Sequence, residues 1–303
     1  MSLYLAHHGI LGQKWGIRRY QNPDGTLTEA GKQRLRSNKD TFYKESSVKS
    51  KTLSDGSVLY PKGYIFNRVG KNTLDINKSG ALYVSSGKED AARYIKSLGN
   101  TPLNRLFKTA GESVQHIRVK KDLKVASEDK TAEIILKTLK NDRTLLKNLN
   151  DSIYGYVAKK DGSEVTYNDI ERMLSNTKGV ESHRLSYAVS SFFGDANYYD
   201  DTIKYYNGFR KMGFDAIPDV HDIMSGTSKT ATIVINPNNL EIISTTVLTK
   251  DVQKAGQKFA KSLGKLPVSE IIKWLIKSLE LQRRHSDEFI FMSSWNTWNE
   301  VGC

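Results

Sequence analysis

Two hydrophobic periods follow one another between residues 62 and 95, KGYIFNRVGKNTLDINKSGALYVSSGKEDAARYI. Residues 63–70 form an aromatic and β-branched run bounded by glycines, which predicts a half-buried strand. Residues 81–85, Ala-Leu-Tyr-Val-Ser, are a second strand closed by Ser86 and Gly87. Apolar side chains then recur at Ala91, Ala92, Tyr94 and Ile95, a helical spacing, with Ser86 as N-cap and Glu89 completing a capping box. The order is strand, loop, strand, helix.

The same reading extends along the body. Residues 113–127 alternate at Val114, His116 or Ile117, and Val119, then turn at 120–122 into Leu123 and Val125, a strand or hairpin with His116 exposed. Residues 129–149 carry leucines and isoleucines at helical spacing, 154–158 read as a short strand, and 169–174 and 181–193 as helices. His183 falls on a solvated face, and Tyr198, Tyr199, Tyr205 and Tyr206 belong to a helix ending near Met212, where packing explains them better than base stacking. Residues 214–217 and 230–235 are strands around a carboxylate-rich loop, and Leu240, Ile242 and Ile243 resume extended chain. Residues 268–281 hold an apolar stripe, an amphipathic helix, before a Trp-rich end without a clear element. We place boundaries to give a basic leader and linker (1–51), a body (52–250) and a helical tail (251–303).

Charge sharpens this division. The net charge of the 303 residues is +13, and residues 1–51 hold ten Lys/Arg against four Asp/Glu, a net +6. A basic arm on a milder body points to an acidic partner, nucleic acid or protein. The one cysteine, Cys303, excludes an intramolecular disulfide and a thiolate metal site. No run reaches the roughly 18 apolar residues of a spanning helix, and MSLYLAHHG breaks before a secretory pattern develops. The expected location is the cytoplasm or a particle.

Within the arm, His7, His8, three glycines, Trp15, Arg18 and Arg19 precede an Asn-Pro-Asp-Gly turn at 22–25. Bulky anchors between flexible joints suit a peptide that orders on a partner. Adjacent histidines rarely share an ion, so no metal is assigned. The segment resembles the HHG-(I/V)-x-G-x-K-W-G-x-R-R-Y-Q-N-P-D-G leader of minor structural and head-morphogenesis proteins of phages of Gram-positive gut bacteria. That resemblance implies docking on phage head or portal proteins through His7, His8, Trp15, Arg18 and Arg19, and a location in the virion or the host cytoplasm.

Residues 55–248 resemble the mono-ADP-ribosyltransferases. Arg68 leaves one strand, Ser85 and Ser86 end the next, and Gly213-Phe214-Asp215-Ala216-Ile217 precedes a strand ending Ile235-Asn236-Pro237. The resemblance implies an α+β fold, a mixed or antiparallel split β-sheet core with flanking helices. It implies NAD as substrate and a host protein or nucleic acid as acceptor. Arg68 would hold the pyrophosphate, Tyr83 would flank the nicotinamide, and Ser85, with Ser86, would orient a carboxylate. The family's strand glutamate is missing from Ser228-Lys229-Thr230-Ala231-Thr232, leaving Asp219 and Asp222 as candidate acids and Asp215 as a buried or capping residue. Two functions stand: an NAD-dependent transferase, or a non-catalytic virion protein that keeps the fold.

Overall fold

The computed structural model describes residues 42–70, 80–98, 111–194 and 199–268, with positions 22, 24, 26, 28, 29, 76 and 273 besides. It divides into two compact units, Met1–Thr41 and Phe42–Cys303. In the first, Asn22 N–H donates to the Thr26 carbonyl at 2.7 Å and Asp24 Oδ1 accepts from the Thr26 N–H and hydroxyl. The expected turn therefore closes. His7, His8, Trp15, Arg18 and Arg19, expected to dock on a partner, lie outside the described residues.

In the second unit, strands β1 (Lys51–Thr52), β2 (Val58–Tyr60), β3 (Ile65–Gly70) and β4 (Leu82–Val84) lead into helix α1 (Lys88–Leu98). Strands β5 (Ser113–Val119) and β6 (Leu123–Val125) precede helices α2 (Glu128–Asn141), α3 (Arg143–Asn150), α4 (Gly155–Ala158), α5 (Tyr167–Leu174), α6 (Val180–Gly194) and α7 (Tyr199–Lys211). Strand β7 (Ala216–Pro218), helix α8 (Val220–Met224), strands β8 (Thr232–Val234) and β9 (Leu240–Val247), and helix α9 (Lys250–Ser262) complete the described chain. This is a mixed α+β architecture. One sheet runs β1-β2-β6-β7-β8-β4, with β6 and β7 parallel and the other pairs antiparallel; the second runs β3-β5-β9.

The sheets face each other across Tyr60, Tyr64, Phe66, Leu82, Val84, Ile117, Leu123 and Val234. Helices α2 to α7 cover the opposite side of the larger sheet around Ile217, Ile233, Leu185, Phe192 and Tyr205. On the far side of the smaller sheet, Val69 and Val114 meet Ala91, Ala92 and Ile95 of α1, Ala260 of α9 and Phe42. A Cβ on Gly256 of α9 would come within 2.8 Å of Ile95, so that helix pair sits closer than side chains permit. Among the described residues the core thus extends from Phe42 to beyond residue 250.

Several expectations change. Strands β5 and β6 are not a hairpin: the chain crosses from one sheet to the other between them. Residues 155–158 are helical, not extended, and pack on α6. The helix expected over 129–149 breaks at Asp142, which ends α2 and caps α3 through Leu145 N–H. Ser86 does not cap α1; its N–H donates to Thr230 Oγ1, while Glu89 pairs with Lys229. His116 is buried, not exposed, and bonds Asn67 Oδ1 at 2.8 Å and Thr246 Oγ1 at 3.3 Å. His183 is half-buried against Asp129 at 3.0 Å. Of the amphipathic stripe at 268–281, only residues 268 and 273 are described. Among the described residues no helix is long and apolar enough to cross a membrane.

Candidate functional site

Strands β3 and β4 belong to different sheets, yet they touch at one isolated bridge. Asn67 N–H donates to the Ser85 carbonyl at 2.8 Å, and Ser85 N–H to the Asn67 carbonyl at 3.0 Å. Arg68, Tyr83 and Ser86 are within two residues of that bridge. Strand alternation then sends them in different directions. Arg68 shares a face of β3 with Phe66, directed between the sheets, where its Nη1 donates to Gln115 Oε1 at 3.1 Å and the guanidinium folds over Gly70. Tyr83, next to the core residue Val84, points to the opposite side, over Ile233 of β8.

Tyr83 opens a cluster in the seam between α1 and the helices over the larger sheet. It retains 40% exposure, while its hydroxyl bonds Tyr206. Burial first, then the charges and hydrogen bonds of Tyr206, Asp219 and Asp222, hold that phenol far above its ordinary value. Asp219 caps α8 by accepting from Asp222 N–H, and is 6% exposed. Burial and the neighbouring Asp222 charge raise its carboxyl to about 8. Asp222 is half-buried and accepts from the Tyr94 hydroxyl of α1 at 2.5 Å. Burial, then Asp222 and Asp219, pushes the Tyr94 phenol well upward. Between the acids, His221 stacks on Tyr187 and its Nδ1 lies 3.1 Å from Ser191 Oγ; burial lowers its pKa. Burial thus favours the protonated form of Asp219.

The serines serve the frame. Ser85 is buried, its hydroxyl donating to the Asn67 carbonyl. The Ser86 side chain meets the Tyr60 and Tyr64 hydroxyls, and its carbonyl accepts from Tyr43 at 3.5 Å. Asp215 accepts from Lys124 N–H and Asn236 Nδ2, tying the strand ends as a capping residue.

Sequence reasoning missed Tyr94, Tyr206 and Asp90. Asp90 is wholly buried at the α1 N-terminus and accepts from Lys229 N–H, Thr230 N–H and Thr230 Oγ1. Three donors satisfy this buried side chain, and the bonds pin the chain entering β8. A signal was present: Asp90 and Tyr94 are four apart on one helix and therefore share a face. Asp90 grips the β8 entry and Tyr94 grips Asp222, so α1 fixes both ends of the acid loop. Among the described residues no three His, Cys, Asp or Glu side chains form a group able to hold a metal ion. No protein-family model, curated protein or solved structure matches this chain.

Proposed function

We propose that the body binds NAD across the Asn67–Ser85 junction and transfers its ADP-ribose to a host macromolecule, as an ADP-ribosyltransferase-like fold. The observation that carries this reading is the exposed Tyr83 ring with the buried Asp219 and the Tyr94-bonded Asp222 behind it. The ring offers a face for the nicotinamide, whose pyridinium charge suits a site lined by two carboxyl groups. When the C–N bond breaks, its electron pair neutralises the departing nicotinamide and positive charge develops on the ribose. Asp222, the more open acid, supplies the compensating charge; Asp219 keeps the helix in place and carries the proton. Arg68, on the other face of the junction, takes the pyrophosphate as a bidentate donor. The leader is proposed to carry the body into phage particles.

A second reading is a binding protein without turnover. It is favoured by Thr230, held by Asp90, at the β8 entry where the resembled family has a glutamate. Nicotinamide release and NAD calorimetry separate the two. Arg68→Ala is expected to weaken NAD binding by about 1.5–3 kcal/mol, the value of a charge-assisted hydrogen bond. Asp222→Asn is expected to keep binding and lose most turnover, because the charge it serves exists only in the transition state. Absence of nicotinamide release with any acceptor selects the non-catalytic virion protein, and absence of NAD binding removes the transferase.

A further inference from the structure

The molecule carries a second feature, remote in sequence from the acid loop. The chain passes between the sheets twice at one corner, from β2 to β3 through residues 61–64 and from β5 to β6 through 120–122. The two crossings are bound together. Gly63 N–H donates to the Val119 carbonyl at 2.8 Å, Lys62 N–H to Asp122 Oδ1 at 2.8 Å, and Lys120 N–H to the Asn239 carbonyl at 2.7 Å. Val48 lies against Gly63, bringing the start of β1 to the same corner. Lys49, Lys51, Lys62, Lys120 and Lys121 are all exposed there.

None of these five lysines forms an ion pair among the described residues, whereas their neighbours Lys124 and Arg118 are matched to Asp55 and Glu241. Asp122 lies among them, so these six side chains carry five positive charges and one negative. With strands about 4.8 Å apart, β1 to β6 spans roughly 10 Å and the patch somewhat more. The backbone around it is fixed by the bonds above.

We propose that this corner binds the phosphate backbone of a double-stranded nucleic acid, without reading its sequence. A duplex presents one charge per about 1.7 Å of axis, a density that several closely spaced lysines can match. Single strands are held by stacking on exposed aromatic rings, and here Tyr60 and Tyr64 are buried edge-to-face against each other, 4.5 Å between centroids. A membrane surface is engaged by inserted apolar side chains, and the exposed large apolar residues, among them Ile153, Tyr156, Val180 and Met212, belong to other elements. The proposal is independent of NAD.

The test is fluorescence anisotropy of a labelled 20-base-pair duplex with the full chain over a salt series. Lys62→Glu/Lys120→Glu/Lys121→Glu is expected to weaken binding at least tenfold at low salt. It should flatten the slope of log K against log salt by about 2.7, three contacts at about 0.9 each. Lys178→Glu/Lys211→Glu/Lys254→Glu makes the same change of net charge at exposed lysines on other elements, and is expected to lose less than threefold. Equal losses in the two triple variants overturn the proposal, since net charge alone would then act. Absence of duplex binding by the unsubstituted chain, or tighter binding to a single strand or to anionic vesicles, overturns it as well.

Discussion

Asp219 has two properties that oppose each other as the pH changes. Its side chain caps α8, and its burial beside Asp222 raises the carboxyl from 3.8 to about 8. A carboxyl that holds its proton more tightly when folded contributes stability that is complete below pH 4 and is lost as the pH rises toward 8. Within that window one such group loses about 1.4 kcal/mol per pH unit. His221 has the opposite sign: burial lowers its pKa from 6.5, so its cost grows as the pH falls below 6.5. Between pH 6.5 and 8 the Asp219 effect is therefore the larger of the two. Melting temperatures of the unsubstituted protein should fall across that interval. Asp219→Asn keeps a good N-cap acceptor and should show a much flatter profile, with higher stability at pH 8. Parallel profiles would mean that Asp219 is ionised in the folded protein. Both Asp219 and Asp222 were legible as a loop with too many carboxylates for its length. The tyrosines that surround them were not, because Tyr94 and Tyr206 arrive from helices far apart in the chain.

Elements were legible where one period dominated a short stretch. Strands β3 and β4 and helix α1 are local patterns, and the structure places them within two or three residues of their expected limits. Strand β5 misled at His116 because it is buried on both faces, so alternation no longer separates inside from outside. Helix α9 went unread for a related reason. Its contact with α1 is made through small residues, Gly256 and Ala260, which leave little hydrophobic signal in KDVQKAGQKFAKS. That contact gives a test in which two effects compete. In a helix interior Gly→Ala is ordinarily favourable by about 1 kcal/mol. At Gly256 the new Cβ would lie 2.8 and 2.9 Å from two Ile95 carbons, and overpacking of this kind costs about 1–3 kcal/mol. Steric cost should prevail, so Gly256→Ala is expected to lower the unfolding free energy, and Ile95→Val in the same chain to restore part of it. A stabilised Gly256→Ala protein would show that α9 can slide away from α1.

At the scale of the whole molecule, the basic arm and the body divide where the core begins. The sequence placed that division near residue 51 from polarity alone, whereas Phe42 is already 1% exposed. The segment that follows is short but strongly held. Phe42 packs beside Phe259 with Lys88 Nζ 5.7 Å from its ring, and the Tyr43 hydroxyl reaches Ser86. Lys44 donates its N–H to Asn67 Oδ1 at 2.9 Å and accepts from Asn67 Nδ2 at 3.1 Å. Asn67 is wholly buried and carries the bridge between the sheets, so this strap supports the junction at which NAD is proposed to bind. Hydropathy gave no hint of it, because Lys44 acts through its backbone and Phe42 stands alone among polar neighbours. The two sides of the division should respond differently to truncation. Removing residues 1–41 takes away the leader and is expected to leave the thermal transition of the body nearly unchanged while abolishing incorporation into phage particles. Extending the deletion through residue 46 removes a buried phenylalanine, a loss of about 3–5 kcal/mol. It also strips the partners from a buried amide, at about 1–3 kcal/mol more. For a body of this size each kcal/mol is about 2–4 °C, so the second truncation should melt at least about 8 °C below the first. Equal melting temperatures would show that the strap is dispensable, and a large loss already at residue 41 would place the leader within the folded core.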